Sequence, residues 1–240
     1  MENMLGGKSA IVTGASRGIG KAIALALGKE KMRLALLARS TDQLQEVVGK
    51  IHAVGGEAIA IPCDLMNSDA VEASLNKVFA HFDSLDVLIS NAGIFLEKPI
   101  TEIAVDDWDR VLRTNLTATF LMCQRAFLKM KDQQGGRIIA IASSASTQGF
   151  IHQAAYCASK HGLLGFTRCL AIEAKPHNVH VHTICPGGVR TDLLADTYMG
   201  ERVSQSAIIE PENLADLVLF LLRQPGNIDI PEIIVKRFAV

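Results

Sequence analysis

Short apolar segments of strand length recur along the chain and alternate with longer stretches whose apolar residues are spaced as on one face of a helix. The apolar segments predict strands at residues 9–12, 33–38, 58–62, 87–90, 137–142, 179–185 and 233–236. The amphipathic stretches predict helices at residues 18–29, 42–54, 69–82, 106–130, 155–174 and 212–222. This alternation is typical of a parallel sheet covered by helices on both faces. We therefore predict an α/β fold, with seven parallel strands in one doubly wound sheet.

The pattern continues without interruption along the 240 residues. No internal repeat, low-complexity segment or linker rich in Pro, Gly and Ser divides the chain, so we predict one domain, 1–240. Only the segment 190–211 lacks a clear periodicity. It follows the sixth predicted strand, at the end of the sheet where open α/β folds bind ligands, and we predict a mobile substrate lid there.

Composition narrows the class of protein. With 49% apolar and 20% charged residues the chain is typical of a soluble globular protein. Lys and Arg number 24 against 25 for Asp and Glu, so we expect neither a nucleic acid nor an anionic membrane as partner. The five cysteines form no C-x-x-C pair, and the first ten residues do not resemble a signal peptide. We therefore expect reduced thiols and a cytoplasmic location.

The first predicted strand leads directly into a glycine-rich turn, residues 13–20 (TGASRGIG), and a helix begins at once. Glycines permit positive φ and close backbone approach, and a helix N-terminus offers free N–H groups to a phosphate. A Walker A loop is excluded, because five residues separate Gly14 from Gly20 and Ala22 cannot ligate magnesium. The spacing also differs from the common G-x-G-x-x-G fingerprint. From spacing alone, a dinucleotide site and a structural turn both remain open.

The end of the second predicted strand bears on the choice of cofactor. An NAD site usually carries an acid there for the ribose 2′-hydroxyl, whereas an NADP site carries a cation for the 2′-phosphate. Here Arg39 follows the strand, the first acid is Asp42, and Arg17 adds a second cation within the glycine-rich turn. Because two guanidinium groups can bind one phosphate, we predict NADP, as NADPH, over NAD. Two solvated surface arginines are the alternative.

Candidate chemistry lies near the fifth predicted strand and the helix that follows it. Tyr156 and Lys160 are four residues apart and share a helix face, where a lysine ammonium lowers the pKa of a phenol from about 10. Such a phenol can serve as an acid or base. Ser143 and Ser144 end the strand, where a hydroxyl can donate to a carbonyl oxygen. A chance Tyr–Lys pair and an ordinary turn serine are the alternatives.

Taken together and in order, six motifs resemble those of the short-chain dehydrogenase/reductase family. The motifs are Thr13-Gly14-x-x-x-Gly18-x-Gly20, Asn91-Ala92-Gly93, Asn115 in Thr114-Asn115-Leu116, Ser143, Tyr156-x-x-x-Lys160 and Pro186-Gly187. They extend over residues 8–191, and the chain looks most like the 3-oxoacyl-carrier-protein reductases and the small carbonyl reductases. The resemblance implies a single-domain Rossmann fold, an NADP-linked oxidoreductase that acts on a small carbonyl substrate, and a homo-oligomer, either a tetramer or a dimer.

The resemblance also implies roles for single residues. Tyr156 would protonate the substrate oxygen as NADPH delivers hydride, without a metal, and Lys160 would lower the pKa of Tyr156 and hold the nicotinamide ribose. Ser143, thirteen residues before Tyr156, would polarise the carbonyl, and Asn115 would anchor a water in a proton relay. The implied cofactor-binding residues are Gly14, Ser16, Arg17, Gly18, Ile19, Gly20, Arg39, Asp64, Leu65, Asn91, Ala92, Gly93, Tyr156, Lys160, Pro186, Gly187, Val189 and Thr191.

Three features depart from the family's pattern. Ser90 and His182 each stand where many members carry Asn, and the C-terminal residues 229–238 lack the usual Asp-Gly-Gly. The last departure puts the assembly in doubt, because many relatives pair this strand across a subunit interface. His180 and His182 share a strand face, but no third ligand is obvious and we expect no metal.

Apolar residues that follow the predicted strands indicate a partly hydrophobic substrate cleft, although some of them belong to the core or to an interface. They are Phe95, Leu96, Phe150, Ile151, Leu193, Leu194, Met199, Ile208 and Ile209. Two other functions remain as alternatives: an NAD-linked alcohol dehydrogenase, and a non-catalytic dinucleotide-binding sensor of the same fold.

Overall fold

The computed structural model describes residues 4–192 and 208–238, which build a sheet of seven parallel strands. The strands are β1 (Ser9–Thr13), β2 (Arg33–Ala38), β3 (Glu57–Pro62), β4 (Val87–Ser90), β5 (Gly136–Ile141), β6 (Val179–Pro186) and β7 (Glu232–Val235). Their order across the sheet is β3-β2-β1-β4-β5-β6-β7. The predicted doubly wound α/β fold of the Rossmann type is confirmed, and no strand end differs from its prediction by more than one residue. The order reverses between β1 and β4, which is where such folds open a ligand crevice.

Helices cover both faces of the sheet. They are α1 (Gly18–Lys29), α2 (Thr41–Ala53), α3 (Ser68–His81), α4 (Val105–Leu112), α5 (Ala118–Gln133), α6 (Ala154–Ala174) and α7 (Pro211–Leu222). One core lies between the sheet and helices α1, α2 and α7, and a second lies between the sheet and helices α3, α5 and α6. Ala10 and Val12 of β1 belong to the first core and Ile11 to the second, because successive side chains of a strand point to opposite faces.

The predicted helix over residues 106–130 is interrupted, so this prediction was wrong in one respect. A π-helical turn, Arg113–Thr117, separates α4 from α5. Asn115 lies in the turn with its side chain fully buried, and it hydrogen-bonds to the backbone of Ile94 in the loop after β4. A π turn is one of the few ways to hold an extra residue within a helix, and such turns are frequent at functional sites.

The C-terminal strand forms despite its unusual sequence. β7 pairs with β6, and Arg168 of α6 holds Glu232 through two contacts of 2.6 and 3.0 Å. Nδ1 of the His182 ring lies 2.7 Å from the carbonyl oxygen of Ile230, to which it donates. Nε2 of the same ring lies 3.3 Å from the guanidinium of Arg137. His182 therefore makes the structural hydrogen bonds at the position where many family members carry Asn.

Most of the predicted lid, residues 190–211, lies outside the described residues, which omit 193–207. The two described ends of this segment pair with each other. The N–H of Arg190 donates to the carbonyl of Ile209 at 2.9 Å, and its guanidinium forms an ion pair with Glu210 at 2.8 Å. Ile209 is buried in the core.

Further expectations concern cysteines, metals and membranes. The cysteines are free thiols, with Cys169 exposed and the other four buried. The rings of His180 and His182 stack at 6.1 Å, but within residues 4–192 and 208–238 no three His, Cys, Asp or Glu side chains are grouped as metal ligands. Across the same ranges, no helix combines the length and the apolar character that crossing a membrane requires.

Candidate active site

A cleft of about 630 Å³ opens at the carboxyl ends of the strands. Its walls extend from the glycine-rich turn after β1, past the ends of β2, β3 and β4, to β5, β6 and the first turns of α6. Every cofactor-binding residue predicted from the sequence lines this cleft except Gly20. Ser143, Tyr156 and Lys160 line it as well, whereas Asn115 is buried behind it.

The glycine-rich turn has the backbone that its sequence predicts. Gly14 and Gly18 have φ of +65° and +54°, and a Cβ on Gly14 would lie 2.9 Å from the Cα of Ala92. A Cβ on Gly20 would collide with the carbonyl oxygen of Gly14, so Gly20 allows α1 to pack behind the turn instead of facing the cleft. No side chain caps the N-terminus of α1. Its first N–H groups are therefore available to an anion in the cleft.

Thr13 connects the glycine-rich turn to the loop after β4. Its hydroxyl oxygen accepts hydrogen bonds from the N–H groups of Asn91 at 3.0 Å and Ala92 at 3.1 Å. The amide of Asn91 donates in turn to the carbonyl of Thr13 at 3.0 Å. Thr13 opens the glycine-rich motif of the sequence, but no role for its hydroxyl was predicted.

The two predicted phosphate-binding cations both lie at the cleft wall. Arg39 is exposed there, directly after the last residue of β2, Ala38. Arg17 forms an exposed ion pair with Asp192 at 3.3 Å, which the sequence analysis did not predict. Such an exposed pair contributes little to stability, so the Arg17 guanidinium can exchange this partner for a phosphate at small cost.

The opposite end of the cleft carries the candidate chemistry. Tyr156 and Lys160 lie one turn apart on α6, and the Lys160 Nζ is 5.8 Å from the centre of the Tyr156 ring. The ammonium donates to the carbonyl oxygen of Ile141, at the end of β5, at 3.1 Å. The ring of Phe95 packs edge-on against Tyr156, with centroids 4.9 Å apart. The phenol and the ammonium are thus fixed from two sides.

The electrostatics of this pair differ from the sequence expectation. Burial raises the pKa of Tyr156 above its ordinary value, while the neighbouring Ser143 hydroxyl lowers it. Lys160 Nζ is directed to the carbonyl oxygen of Ile141, and burial is the largest influence on the Tyr156 pKa. Burial lowers the pKa of Lys160 to about 8. At neutral pH the site therefore holds a protonated phenol beside an ammonium that is readily deprotonated.

Asn115 organises the floor of the site. Its Oδ1 accepts from the N–H of Ile94 at 2.8 Å, and its Nδ2 donates to the carbonyl of Ile94 at 2.9 Å. The same amide lies 3.1 Å from the hydroxyl of Ser159, which donates to the carbonyl of Tyr156 at 2.7 Å. The loop that carries Gly93 is thereby tied to the helix that carries Tyr156. Ser159 was not predicted, since Ser inside a helix gives no signal without its partners.

Several other residues of the cleft were also missed. Those with side chains or backbone at its wall include Ile94, Arg110, Thr114 and Gln153. Among the predicted apolar residues, Phe95 and Phe150 line the cleft, and Leu96, Ile151 and Ile208 do not. Leu193, Leu194 and Met199 lie outside the described residues.

Comparison with known proteins identifies relatives along almost the whole chain. A family model described as short chain dehydrogenase matches residues 8–202. A 3-oxoacyl-acyl-carrier-protein reductase of Aquifex aeolicus is 33% identical, and the match covers 98% of this chain and 97% of the relative. The corresponding reductase of Synechocystis is 39% identical, with 90% of each chain covered.

Solved structures agree with the sequence relatives. A metagenomic short-chain oxidoreductase in complex with NADP superposes with a TM-score of 0.86 at 36% identity, covering 98% of this chain and 99% of the other. An actinorhodin polyketide ketoreductase variant with NADPH superposes with a TM-score of 0.87 at 30% identity, covering 96% of both chains.

Proposed function

Because the chain belongs to the short-chain dehydrogenase/reductase family, whose model spans residues 8–202, we propose that it reduces a ketone or aldehyde to an alcohol with NADPH. The observation that carries the proposal is a single cleft with an anion-binding turn at one end and Ser143, Tyr156 and Lys160 at the other. Two solved relatives contain NADP or NADPH in their own structures. A 3-oxoacyl thioester is one substrate of this carbonyl class, by analogy with the two bacterial reductases.

The residues of the cleft fit a dinucleotide with a 2′-phosphate. The uncapped start of α1 and the glycine-rich turn suit a pyrophosphate, and Arg17 and Arg39 suit the extra phosphate. Asp64, Asn91 and Gly93 would line the adenosine and ribose. Pro186 and Thr191 would adjoin the nicotinamide. When bound, NADPH supplies the hydride for the carbonyl carbon.

The chain's own residues supply orientation and a proton. Ser143 accepts a hydrogen bond from the N–H of Ala145 at 3.1 Å, and its hydroxyl adjoins the Tyr156 phenol. A carbonyl oxygen placed between the two hydroxyls would accept from both. Tyr156 then delivers its phenolic proton to that oxygen as negative charge develops there. The raised pKa of Tyr156 keeps the phenol protonated at neutral pH, which suits reduction. Lys160 stabilises the phenolate that remains and holds the cofactor ribose.

Arg39 provides a test of the cofactor preference. Replacing it with alanine removes a charge-assisted hydrogen bond to the 2′-phosphate, so we expect the Kd of NADPH to rise about tenfold or more. The Kd of NADH should stay unchanged, because NADH lacks that phosphate. Fluorescence titration of both reduced cofactors measures the effect. Arg125→Ala, which breaks an ion pair with Glu72 away from the cleft, is the control and should alter neither value. Tighter binding of NADH than NADPH to the wild-type protein would overturn the preference.

The pH dependence follows from Lys160. Its folded-state pKa of about 8 lies below the ordinary value for lysine. Lys160 is therefore fully protonated well below pH 8 and loses its proton as the pH rises through that value. The Tyr156 phenol, with its raised pKa, stays protonated over the same interval. We therefore expect kcat/KM for reduction to be level in the neutral range and to fall on the alkaline side. A profile of initial rates against pH measures this, and a rate that still increases above pH 9 would contradict it.

A second candidate is oxidation of an alcohol with NAD, and the name of one relative favours oxidation. A D-threitol dehydrogenase of Mycolicibacterium smegmatis is 34% identical over 90% of this chain. The reacting groups suit either direction, because a proton that Tyr156 donates in reduction is accepted by its phenolate in oxidation. The cofactor titration above separates the two candidates.

A further inference from the structure

We propose that Gln153 recognises a second carbonyl oxygen on the substrate, so that the enzyme selects carbonyl compounds with another carbonyl close to the reacting one. This inference rests on the proposed reductase function and adds a specificity-determining residue to it. It comes from the Gln153 side chain, which is polar, largely buried and at the cleft wall, and which forms no hydrogen bond to another described residue.

Gln153 is only 5% exposed, yet its carboxamide makes no hydrogen bond to any described residue. Both of its backbone groups are used: the N–H donates to the carbonyl of Phe150 at 3.3 Å, and the carbonyl accepts from Cys157 at 2.8 Å. Its amide atoms are not sealed from solvent, since among the described residues only Ser146 Oγ is a fully buried polar side-chain atom without a partner. The side chain lines the cleft, and a ligand there can supply the missing partner.

Helix capping, the usual reason for a polar residue at the start of a helix, does not explain Gln153. Gln153 is the N-cap of α6, but its side chain does not cap the helix. Ser, Thr, Asp and Asn are the effective residues for that task, and Gln is not among them. The segment just before it is already fixed, because the N–H of Lys98 donates to the carbonyl of His152 at 2.7 Å. The carboxamide therefore neither caps α6 nor holds the preceding segment in place.

Helix geometry sets where Gln153 acts. Gln153 directly precedes α6, Tyr156 and Lys160 follow it by three and seven positions, and all three residues line the cleft. Lys160 lies about one helical turn after Tyr156 along the chain, and Gln153 lies about one turn before it. Side chains one turn apart are about 5–6 Å from each other at Cβ. A substrate whose reacting oxygen meets Tyr156 thus places its adjoining atoms beside Gln153.

The amide N–H of Gln153 is suited to a neutral carbonyl oxygen. Two aromatic rings adjoin this end of the cleft, Phe95 against Tyr156 and Phe150 three residues before Gln153. These rings suit the carbon chain of a substrate that carries two oxygens, one at the reacting carbon and one a few bonds away. A 3-oxo ester or a 3-oxo thioester has this arrangement, whereas a simple ketone lacks the second oxygen.

The test compares two ketones of equal chain length, ethyl 3-oxobutanoate and heptan-2-one, in wild-type enzyme and in Gln153→Leu. Leucine keeps the approximate size of the side chain and removes its hydrogen-bonding groups. We expect kcat/KM for ethyl 3-oxobutanoate to fall about tenfold in the variant, while that for heptan-2-one stays level or rises. Gln148→Leu is the matched control: Gln148 is exposed, lies five residues earlier and does not line the cleft. It should change neither value.

Each other outcome is informative. An equal loss for both ketones, or no loss for either, overturns the role of Gln153 while the reductase function stands. A higher Kd for NADPH in Gln153→Leu would assign the carboxamide to the cofactor and also overturn it. A lower melting temperature with an unchanged ratio of the two kcat/KM values would show a structural role instead. If the wild-type enzyme reduces neither ketone with NADPH, the proposed function fails first and this inference fails with it.

Discussion

Replacement of Tyr156 with phenylalanine is expected to lower kcat for carbonyl reduction by about 10²- to 10⁴-fold, the usual contribution of a positioned general acid. The substitution removes the phenolic hydroxyl, with its proton and its contact to Ser143, and keeps the aromatic ring. The ring keeps its edge-on contact with Phe95, and the backbone carbonyl that accepts from Ser159 is unchanged. The loss should therefore appear in the rate and not in the fold.

Two measurements make this result specific. The Kd of NADPH, from fluorescence titration, should change little in Tyr156→Phe, because the anion-binding turn lies at the other end of the cleft. The melting temperature should also be close to that of the wild type. A variant that keeps most of its activity would refute the assignment of Tyr156 as the acid, whichever substrate is used.

Replacement of Asn115 with alanine is expected to have the largest effect on stability, about 2–5 kcal/mol. The buried Asn115 side chain serves both backbone groups of Ile94, at 2.8 and 2.9 Å, and it lies within 3.1 Å of the Ser159 hydroxyl. Its removal leaves these groups without partners, and each such loss costs about 1–3 kcal/mol. Urea denaturation measures the change in the free energy of unfolding.

The same variant should lose activity, because the loop that carries Gly93 at the cleft wall is no longer tied to α6. Asn76→Ala is the control: Asn76 is exposed on α3 and accepts a single long contact of 3.4 Å from Arg125. That variant should be close to wild type in stability and rate. An Asn115→Ala protein with wild-type stability would show that the hydrogen bonds to Ile94 contribute nothing net.

The fold was predictable because its signals are local. Apolar segments such as residues 33–38 give a buried parallel strand wherever they occur, and the helices between them leave few alternative topologies. The interruption at Asn115 was not predictable from periodicity. It depends on hydrogen bonds to Ile94, 21 residues away, and α4 and α5 are amphipathic on both sides of it.

The candidate site was predictable to the extent that its residues occur as motifs. Spacing alone left the glycine-rich turn and the Tyr156–Lys160 pair ambiguous, and the family resemblance placed them in one cleft. The contacts among these residues could not be predicted from the sequence. The ion pair between Arg17 and Asp192 joins residues 175 positions apart. The raised pKa of Tyr156 reflects burial, which depends on packing and not on spacing. Gln153 belongs to no sequence motif, because only the structure shows that its carboxamide faces the cleft without a hydrogen-bond partner among the described residues.

The central claim is that the Tyr156 phenol and the Lys160 ammonium stand beside the nicotinamide of a bound NADPH whose phosphates rest on the start of α1. A crystal structure of the protein soaked with NADPH tests this most directly. We expect the pyrophosphate on the turn formed by residues 14–20, and the Tyr156 hydroxyl and Lys160 Nζ on the nicotinamide side. A cofactor bound elsewhere, or these two side chains directed away from its nicotinamide ring, would contradict the account.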